Sequence, residues 1–159
     1  MANSRFAVAV HLLTLLEHEK GRPVSSDYAA RSINTNPVVV RRLAGLLSRA
    51  GLVSARLGVK GGLELARGAA SISLRDVYRA VEEGSVFARP AAPSSQCPVG
   101  RYIEGALAGP LELAERDLVA RLERTTVADI SRRVARAGRR PSRSSIKDGF
   151  APARSRGRD

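Results

Sequence analysis

The sequence is poor in residues on which several classes of protein depend. It contains one cysteine, no tryptophan and only 4% aromatic residues. A single thiol excludes an internal disulfide and is typical of a reducing compartment. So few aromatic rings argue against a stacking platform for single-stranded nucleic acid. No apolar run approaches the roughly 20 residues that span a bilayer, so we expect a cytoplasmic protein with no membrane segment.

Side chains that commonly catalyse reactions are also scarce. The two histidines, His11 and His18, lie seven residues apart on the polar face of the first predicted helix. Solvated histidines are commoner there than metal ligands. No glycine-rich phosphate loop follows a strand, and no nucleophile has a base at a suitable spacing. We therefore expect neither catalysis nor a bound metal.

Acidic residues are outnumbered, since 27 lysines and arginines stand against 15 aspartates and glutamates, giving a net charge of +12. Residues 1–70 hold ten basic and four acidic residues, and residues 138–159 hold seven and two. A basic half joined to a nearly neutral half is expected where one half contacts phosphates. A GC-rich genome, which favours arginine codons, is the alternative explanation. Because residues 138–159 offer almost nothing to bury, we expect a disordered basic tail.

Helix start and stop signals in the first half predict three helices. The first covers residues 4–20 and ends at Gly21, and a short second helix begins at Ser25 or Ser26. The third covers residues 37–50, with Asn36 as its N-cap and proline at its first position. Two alternating runs, 52–57 and 63–66, surround a glycine-rich turn and predict a β-hairpin.

The second half predicts three more helices after the hairpin. A capping box of Ser73 and Asp76 opens a fourth helix that ends near residue 83. A proline-rich linker leads to a long helix from Pro98, which Pro110 should kink or divide. A final short helix ends near residue 137.

The long helix carries an apolar stripe with steps of three or four residues. Its members are Ile103, Leu107, Leu111, Ala114, Leu118 and Leu122. A single helix after a linker has little of its own chain to pack against, so the stripe is predicted to be a subunit interface, with Ile103, Leu107, Leu111, Leu118 and Leu122 at the contact. The first helix of the same chain is the alternative partner.

The third helix has two contrasting faces on a helical wheel. The predicted core face holds Val39, Val40, Leu43, Leu46, Leu47 and Ala50. The opposite face holds Val38, Arg41, Arg42, Gly45, Ser48 and Arg49. Three arginines without an acidic residue are unusual, because most surface helices mix charges of both signs. A helix that reads the DNA major groove requires this asymmetry.

This arrangement predicts a mainly α-helical fold, a winged helix-turn-helix with a small β-hairpin wing and a long dimerisation helix. We expect Arg41 and Arg42 to contact bases or nearby phosphates, and Arg49 to contact phosphate. Val38 would meet a thymine methyl group. The remaining candidate DNA contacts are Ser25, Ser26 and Asn36 at helix starts, and Arg56 and Lys60 at the wing. An ordinary three-helix core with a basic surface is the alternative.

Several short segments, in this order and spacing, resemble the Rrf2 family of winged-helix regulators. They are NPVVVRRL at 36–43, AGLV at 50–53, KGG at 60–62, DVYRAVE at 76–82, CPVG at 97–100 and TVADI at 126–130. The resemblance implies a homodimer joined through the long helix that binds a partly palindromic operator in double-stranded DNA, usually as a repressor. It suggests a DNA-binding domain at 1–83, a linker at 84–96, dimerisation and C-terminal helices at 97–137, and the tail at 138–159.

The sequence departs from the family at the site of the iron–sulphur cluster. Cluster-binding members have three cysteines there, and this chain has only Cys97, so it resembles a subgroup without the cluster motif. We expect no iron–sulphur cofactor, because one thiol cannot supply the cysteine ligands. Cys97 precedes a helix start, where the dipole favours a thiolate, with Arg101 one turn away. It is either an oxidant-sensing thiol or a residue without chemical function.

The function predicted from these features is sequence-specific regulation of transcription. The alternative is a basic protein that binds nucleic acid without specificity, such as a nucleoid or RNA-associated protein. The third helix discriminates between the two, because a non-specific binder needs charge but no base-reading face.

Overall fold

A computed structural model describes residues 4–56, 58, 61–82, 84, 87 and 93–138. Six α-helices and one hairpin follow each other along these residues. They are α1 (Ser4–His18), α2 (Ser26–Ile33), α3 (Pro37–Arg49), β1 (Val53–Arg56), β2 (Gly62–Leu65), a 3-10 turn (Ala69–Ser71), α4 (Leu74–Val81), α5 (Pro98–Glu123) and α6 (Val127–Gly138). The predicted fold class is therefore confirmed. The predicted basic tail lies, apart from residue 138, outside the described residues.

The helix starts around the turn between α2 and α3 are fixed by side-chain caps. Ser25, rather than Ser26, caps α2, because its hydroxyl oxygen accepts a hydrogen bond from the Tyr28 N–H at 3.1 Å. The Asn36 side chain accepts from the Val38 N–H at 2.8 Å and caps α3. Both caps satisfy amide groups that a helix start would otherwise leave unpaired.

The hydrophobic core is formed where α1, α2, α3 and α4 pack together. The buried residues of α3 are Val40, Leu43, Ala44 and Leu47, each 6% exposed or less, and Ala44 was not part of the predicted face. Two members of the predicted face are placed differently, since Val39 is 39% exposed and Ala50 is also exposed. Val39 lies in the first turn of α3 and Ala50 is its C-cap, and both are at the margin of the apolar arc, which the described helices leave exposed.

The hairpin lies against the segment that follows α1. Strands β1 and β2 are antiparallel, with Val53 opposite Leu65 and Arg56 opposite Gly62. Val24 and Leu63 exchange two backbone hydrogen bonds, of 2.8 and 2.9 Å. A Cβ at Gly62 would lie 2.8 Å from the Val24 carbonyl oxygen, so this close approach requires glycine. The predicted hairpin is confirmed, while residues 57, 59 and 60 of its turn lie outside the described residues.

Helix α4 begins with the predicted capping box. The Ser73 hydroxyl oxygen accepts from the Asp76 N–H, and the Asp76 carboxylate accepts from the Ser73 N–H, both at 3.1 Å. The Arg67 guanidinium also donates to this carboxylate at 3.1 Å. The cap therefore connects the loop after β2 with the start of α4.

We expect acidification to weaken this cap. Burial alone would raise the pKa of Asp76, but hydrogen bonds from Ser73 and the charges of Arg67 and Arg75 outweigh it and lower the pKa below 3.8. Because the folded-state pKa is the lower one, the stabilisation is complete above the unfolded value and is lost as pH falls through the folded value. Denaturant titrations between about pH 7 and pH 3 should show stability falling with pH.

The Asp76→Asn variant provides the test of this assignment. It should cost about 1 kcal/mol of unfolding free energy near neutral pH, because the charged cap is lost. It should also lose less stability than the wild type on acidification. An identical loss in the two proteins would show that Asp76 is not the titrating group.

Helix α5 is 26 residues long and is not divided at Pro110, contrary to one of the two outcomes predicted. Proline removes a single backbone donor, and the helix continues on both sides of it. Helix α5 packs mainly on α4 rather than on α1, and no residue of α5 is buried. No helix of the described residues is both long and apolar enough to cross a membrane.

Helix α6 returns the chain to the core of the first half. It packs on α1, and Val127 is fully buried in the same core cluster. The Val127 N–H donates to the Ile72 carbonyl at 2.9 Å, and the Leu74 N–H donates to the Thr125 carbonyl at 2.8 Å. The predicted division into domains stays a prediction, although these contacts join α6 to the helix-turn-helix unit.

Candidate nucleic-acid interface

The face of α3 opposite the core carries three arginines and no acidic residue. Arg41, Arg42 and Arg49 are all exposed, and Val38 is 61% exposed. The ion pairs found among the described residues involve other arginines. The three guanidinium groups are therefore available to an external anion.

The turn before α3 fixes the position of this face. Helix α2 packs against α3, and a short turn connects the two. In this turn Asn34 adopts a left-handed conformation, with φ 57°. Asparagine tolerates this conformation better than most residues. The Thr35 N–H donates to the Ala30 carbonyl at 2.9 Å, which ties the turn back to α2. A short helix, a tight turn and a second helix with an exposed polar face form a helix-turn-helix.

The capping side chains keep only part of their hydrogen-bonding capacity for a ligand. The side-chain oxygen of Asn36, Oδ1, accepts from the Val38 N–H. The side-chain NH₂ of Asn36 is therefore the group left to donate to a phosphate. Ser25 accepts from Tyr28 and retains its hydroxyl proton as a donor. Ser26, the first residue of α2, is partly exposed. Their predicted contacts with DNA stay predictions.

The wing differs in one respect from the expectation. The Arg56 guanidinium lies 3.4 Å from the Glu64 carboxylate on the facing strand, and the Arg56 side chain is 71% exposed. A pair this exposed is worth at most about 1 kcal/mol, so a phosphate could replace the carboxylate. Lys60, the second predicted wing contact, lies outside the described residues.

Two features of the α3 surface were missed by the sequence analysis. Val39 was assigned to the core and is exposed beside Val38. Gly45 was placed on the exposed face but given no role, and a Cβ there would meet only the Arg49 side chain, at 3.9 Å. The low helix propensity of glycine inside a 13-residue helix was the available signal for the second feature.

The predicted dimer face of α5 is divided between two environments. Ile103, Leu111 and Leu122 are half-buried, whereas Leu107 and Leu118 are each 37% exposed. The exposed members of the stripe, which are Leu107, Ala114 and Leu118, lie on one side of the helix and form an apolar edge. An apolar edge is therefore left without a cover on the described part of the chain.

Cys97 is exposed and is the N-cap residue of α5, with no capping hydrogen bond from its side chain. The Arg101 guanidinium, one turn into the helix, donates from its Nε to the Ser95 carbonyl at 3.0 Å. On α1, the His11 Nε2 lies 3.3 Å from the Ser32 hydroxyl oxygen. Within the described ranges, no three His, Cys, Asp or Glu side chains are grouped so that they could hold a metal ion.

A helix-turn-helix followed by an antiparallel hairpin, with an exposed arginine face on the second helix, defines a winged-helix DNA-binding protein. The chain belongs to the Rrf2 family, whose model, described as an iron-dependent transcriptional regulator, matches residues 2–133. The resemblance inferred from the sequence is thereby confirmed. Members of the family are transcriptional regulators rather than enzymes, and this chain is a sequence-specific DNA-binding regulator of transcription.

Individual relatives agree with this assignment. YwnA of Bacillus subtilis (strain 168), named as an HTH-type transcriptional regulator, is 41% identical over 131 residues, which are 82% of this chain and 96% of YwnA. A crystal structure named as that of a DNA-binding protein is 39% identical, with a TM-score of 0.62 over 79% of this chain and 97% of the other. A transcriptional regulator from Lactobacillus plantarum is 26% identical, with a TM-score of 0.70 over 84% and 91%.

Proposed function

We propose that the protein binds a partly palindromic operator as a homodimer and represses transcription from the adjoining promoter in the cytoplasm. Helix α3 of each subunit enters a major groove, and the two half-sites lie about one helical turn apart. The observation that carries the proposal is the face of α3, on which Arg41, Arg42 and Arg49 are exposed and form no ion pair with any described residue. An ordinary surface helix would balance such charges with acidic neighbours.

The candidate DNA-binding side chains fall into those that suit base edges and those that suit phosphates. Arg41 and Arg42, near the start of α3, suit the O6 and N7 acceptors of guanine or a nearby phosphate. Arg49, in the last turn, suits a phosphate at the edge of the groove. Ser25, Ser26 and Asn36 would donate hydrogen bonds to phosphates of the DNA backbone. Arg56 would also contact a phosphate after its ion pair with Glu64 is broken. Phosphate contacts of this kind set the register of the protein on the duplex.

The apolar edge of α5 supports the homodimer. Leu107 and Leu118 are exposed on the same side of a helix that buries none of its residues in one subunit. The same edge on a second copy would cover them around a two-fold axis. A two-fold symmetric dimer matches the two halves of a palindromic operator.

Selection of genomic fragments by the purified protein tests the proposal. The recovered fragments should share a partly palindromic sequence, and their affinity should exceed that for a scrambled duplex by about 10³-fold or more at physiological salt. Fragments without a common sequence, bound no better than the scrambled duplex, would contradict it.

The net charge of +12 favours a second candidate, a binder of nucleic acid without sequence preference. Deletion of residues 139–159 distinguishes the two. We expect the truncated protein to bind operator and scrambled duplex more weakly by the same factor, with a shallower dependence on salt, because the tail supplies phosphate contacts alone. If the deletion removed the preference for the operator, the specificity would reside in the tail and not in α3.

The iron dependence in the family description does not fit the residues of this chain. The sequence has one cysteine, Cys97, and that thiol is exposed at the end of a helix without a neighbouring set of ligands among the described residues. We therefore expect each subunit to regulate without an iron–sulphur cluster. Anaerobic reconstitution with iron and sulphide, followed by metal and sulphide analysis, should give no stoichiometric iron. One cluster per subunit would contradict this expectation.

A further inference from the structure

The first turn of α3 presents two adjacent apolar side chains to solvent. Val38 is 61% exposed and Val39 is 39% exposed. Both are β-branched and therefore have few rotamers in a helix. The Asn36 cap and Pro37 fix the backbone that carries them. The two valines therefore form a small, rigid apolar patch at the end of the helix that enters the groove first.

Only one kind of group on the base edges of the major groove suits such a patch. The edges offer hydrogen-bond donors and acceptors, together with the C5-methyl group of thymine, which is apolar. The N-terminal residues of a recognition helix are those that reach the base edges. Val38 also precedes Arg42 by four residues, so the two side chains lie on the same face, one turn apart.

We propose that Val39 joins Val38, whose contact with a thymine methyl group the sequence already predicts, in reading thymine methyl groups, and that each operator half-site holds thymines next to the bases or phosphates that Arg41 and Arg42 contact. This inference rests on the proposed function and specifies the sequence that the same surface selects. The surrounding charge supports DNA as the occupant, because the patch lies next to arginines without acidic neighbours in α3. The negatively charged phosphates of DNA complement the arginines, and the thymine methyl groups complement the apolar patch.

Replacement of single thymines by uracil in the recovered operator tests the proposal, because uracil lacks only the methyl group. We expect about a fourfold loss of affinity at the thymines in contact, the effect of one buried methyl group. Uracil outside the half-sites is the control and should change nothing. Val38→Ala and Val39→Ala, both exposed changes that leave the core intact, should each lose most of the uracil penalty at the thymine that the replaced valine contacts.

Two results would overturn the proposal. One is equal affinity for the thymine and uracil operators at every position of the half-sites. The other is a uracil penalty that remains undiminished in both valine variants. Either result leaves the preference for the operator over a scrambled duplex in place, so it is distinct from failure of the proposed function.

A different observation concerns Gly45, in the middle of the same face. A Cβ at this position would meet only the Arg49 Nη1, at the ordinary contact distance of 3.9 Å. No neighbour in the described part of the chain therefore requires glycine here. Glycine nevertheless destabilises a helix interior relative to alanine. Gly45 lies between Arg42 and Arg49 at steps of three and four residues, on the arginine face that we propose to meet DNA.

We infer that Gly45 allows the backbone of α3 to approach the duplex closely. Gly45→Ala should raise the thermal midpoint by about 3 °C and weaken operator binding by about tenfold, because the methyl group would push the helix out of the groove. Gly105→Ala in α5, where a Cβ meets nothing within 4 Å, is the matched control. It should give a similar gain in stability with unchanged binding. Operator affinity of Gly45→Ala equal to or above that of the wild type would overturn the inference.

Discussion

The Arg42→Ala variant should bind the operator little better than a scrambled duplex. Arg42 lies on the exposed face of α3, one turn after the first residues of the helix, and pairs with no carboxylate among the described residues. A bidentate contact with guanine contributes about 1–3 kcal/mol of discrimination, and a dimer loses two such contacts. We therefore expect operator affinity to fall by about 100-fold or more, and non-specific affinity to fall only slightly.

The unfolding free energy of Arg42→Ala distinguishes the loss of a DNA contact from a destabilised fold. Because Arg42 is exposed and unpaired, its replacement should change the unfolding free energy by less than about 0.5 kcal/mol. Arg133→Ala is the matched control, since Arg133 is exposed on α6, which packs on α1 and the 3-10 turn. It should leave the operator preference unchanged. An operator preference retained by Arg42→Ala, or lost equally in Arg133→Ala, would argue against base reading by α3.

Charges placed on the apolar edge of α5 should separate the subunits. The double substitution Leu107→Asp and Leu118→Asp puts two like charges where the second copy is expected to pack. Since each leucine is 37% exposed in one subunit, the fold of that subunit should survive. Loss of the second half-site contact should reduce operator affinity by about 10²-fold or more, because linked sites gain at least this factor by avidity.

Sedimentation or light scattering measures the separation of the subunits directly. We expect a dimer for the wild type and a monomer for the double variant. Leu113→Asp provides the control, because Leu113 is 59% exposed and lies away from the stripe on the same helix. It should remain dimeric and bind the operator normally. A dimeric double variant would place the subunit contact elsewhere.

The elements of the fold could be predicted because their boundaries depend on local chemistry. Asn36 with Pro37, and Ser73 with Asp76, cap helices through residues within three positions of each other. Gly51, with a φ of 69°, ends α3 by a conformation that glycine adopts at low cost. Such signals require no knowledge of the tertiary structure. They placed each described helix and strand within a few residues of its bounds.

The details that the sequence did not predict depend on contacts between elements. The helical wheel placed Val39 and Ala50 in the core, because a wheel records angle and not which neighbour covers each end of a helix. The pairing of Arg56 with Glu64 depends on the register of β1 and β2. The packing of α5 on α4, rather than on α1, goes with backbone hydrogen bonds that join Leu74 to Thr125 and Val127 to Ile72. Each is a long-range consequence of the fold.

The arginine face is the part of the site where pattern and structure agree. Arg41, Arg42 and Arg49 were expected on the solvent side of α3, and all three are exposed there. The aliphatic core face determines this orientation, since Val40, Leu43 and Leu47 are each 2% exposed or less. Burial of one side of the helix leaves the basic side exposed to solvent.

Methylation interference on the recovered operator tests most directly whether this side of α3 lies in the major groove. Methylation of guanine N7 blocks the major-groove edge, whereas methylation of adenine N3 blocks the minor groove. We predict interference by N7 methylation at guanines in two half-sites about one helical turn apart, and loss of that interference in Arg42→Ala. Interference confined to adenine N3, or N7 interference that Arg42→Ala leaves unchanged, would contradict the account.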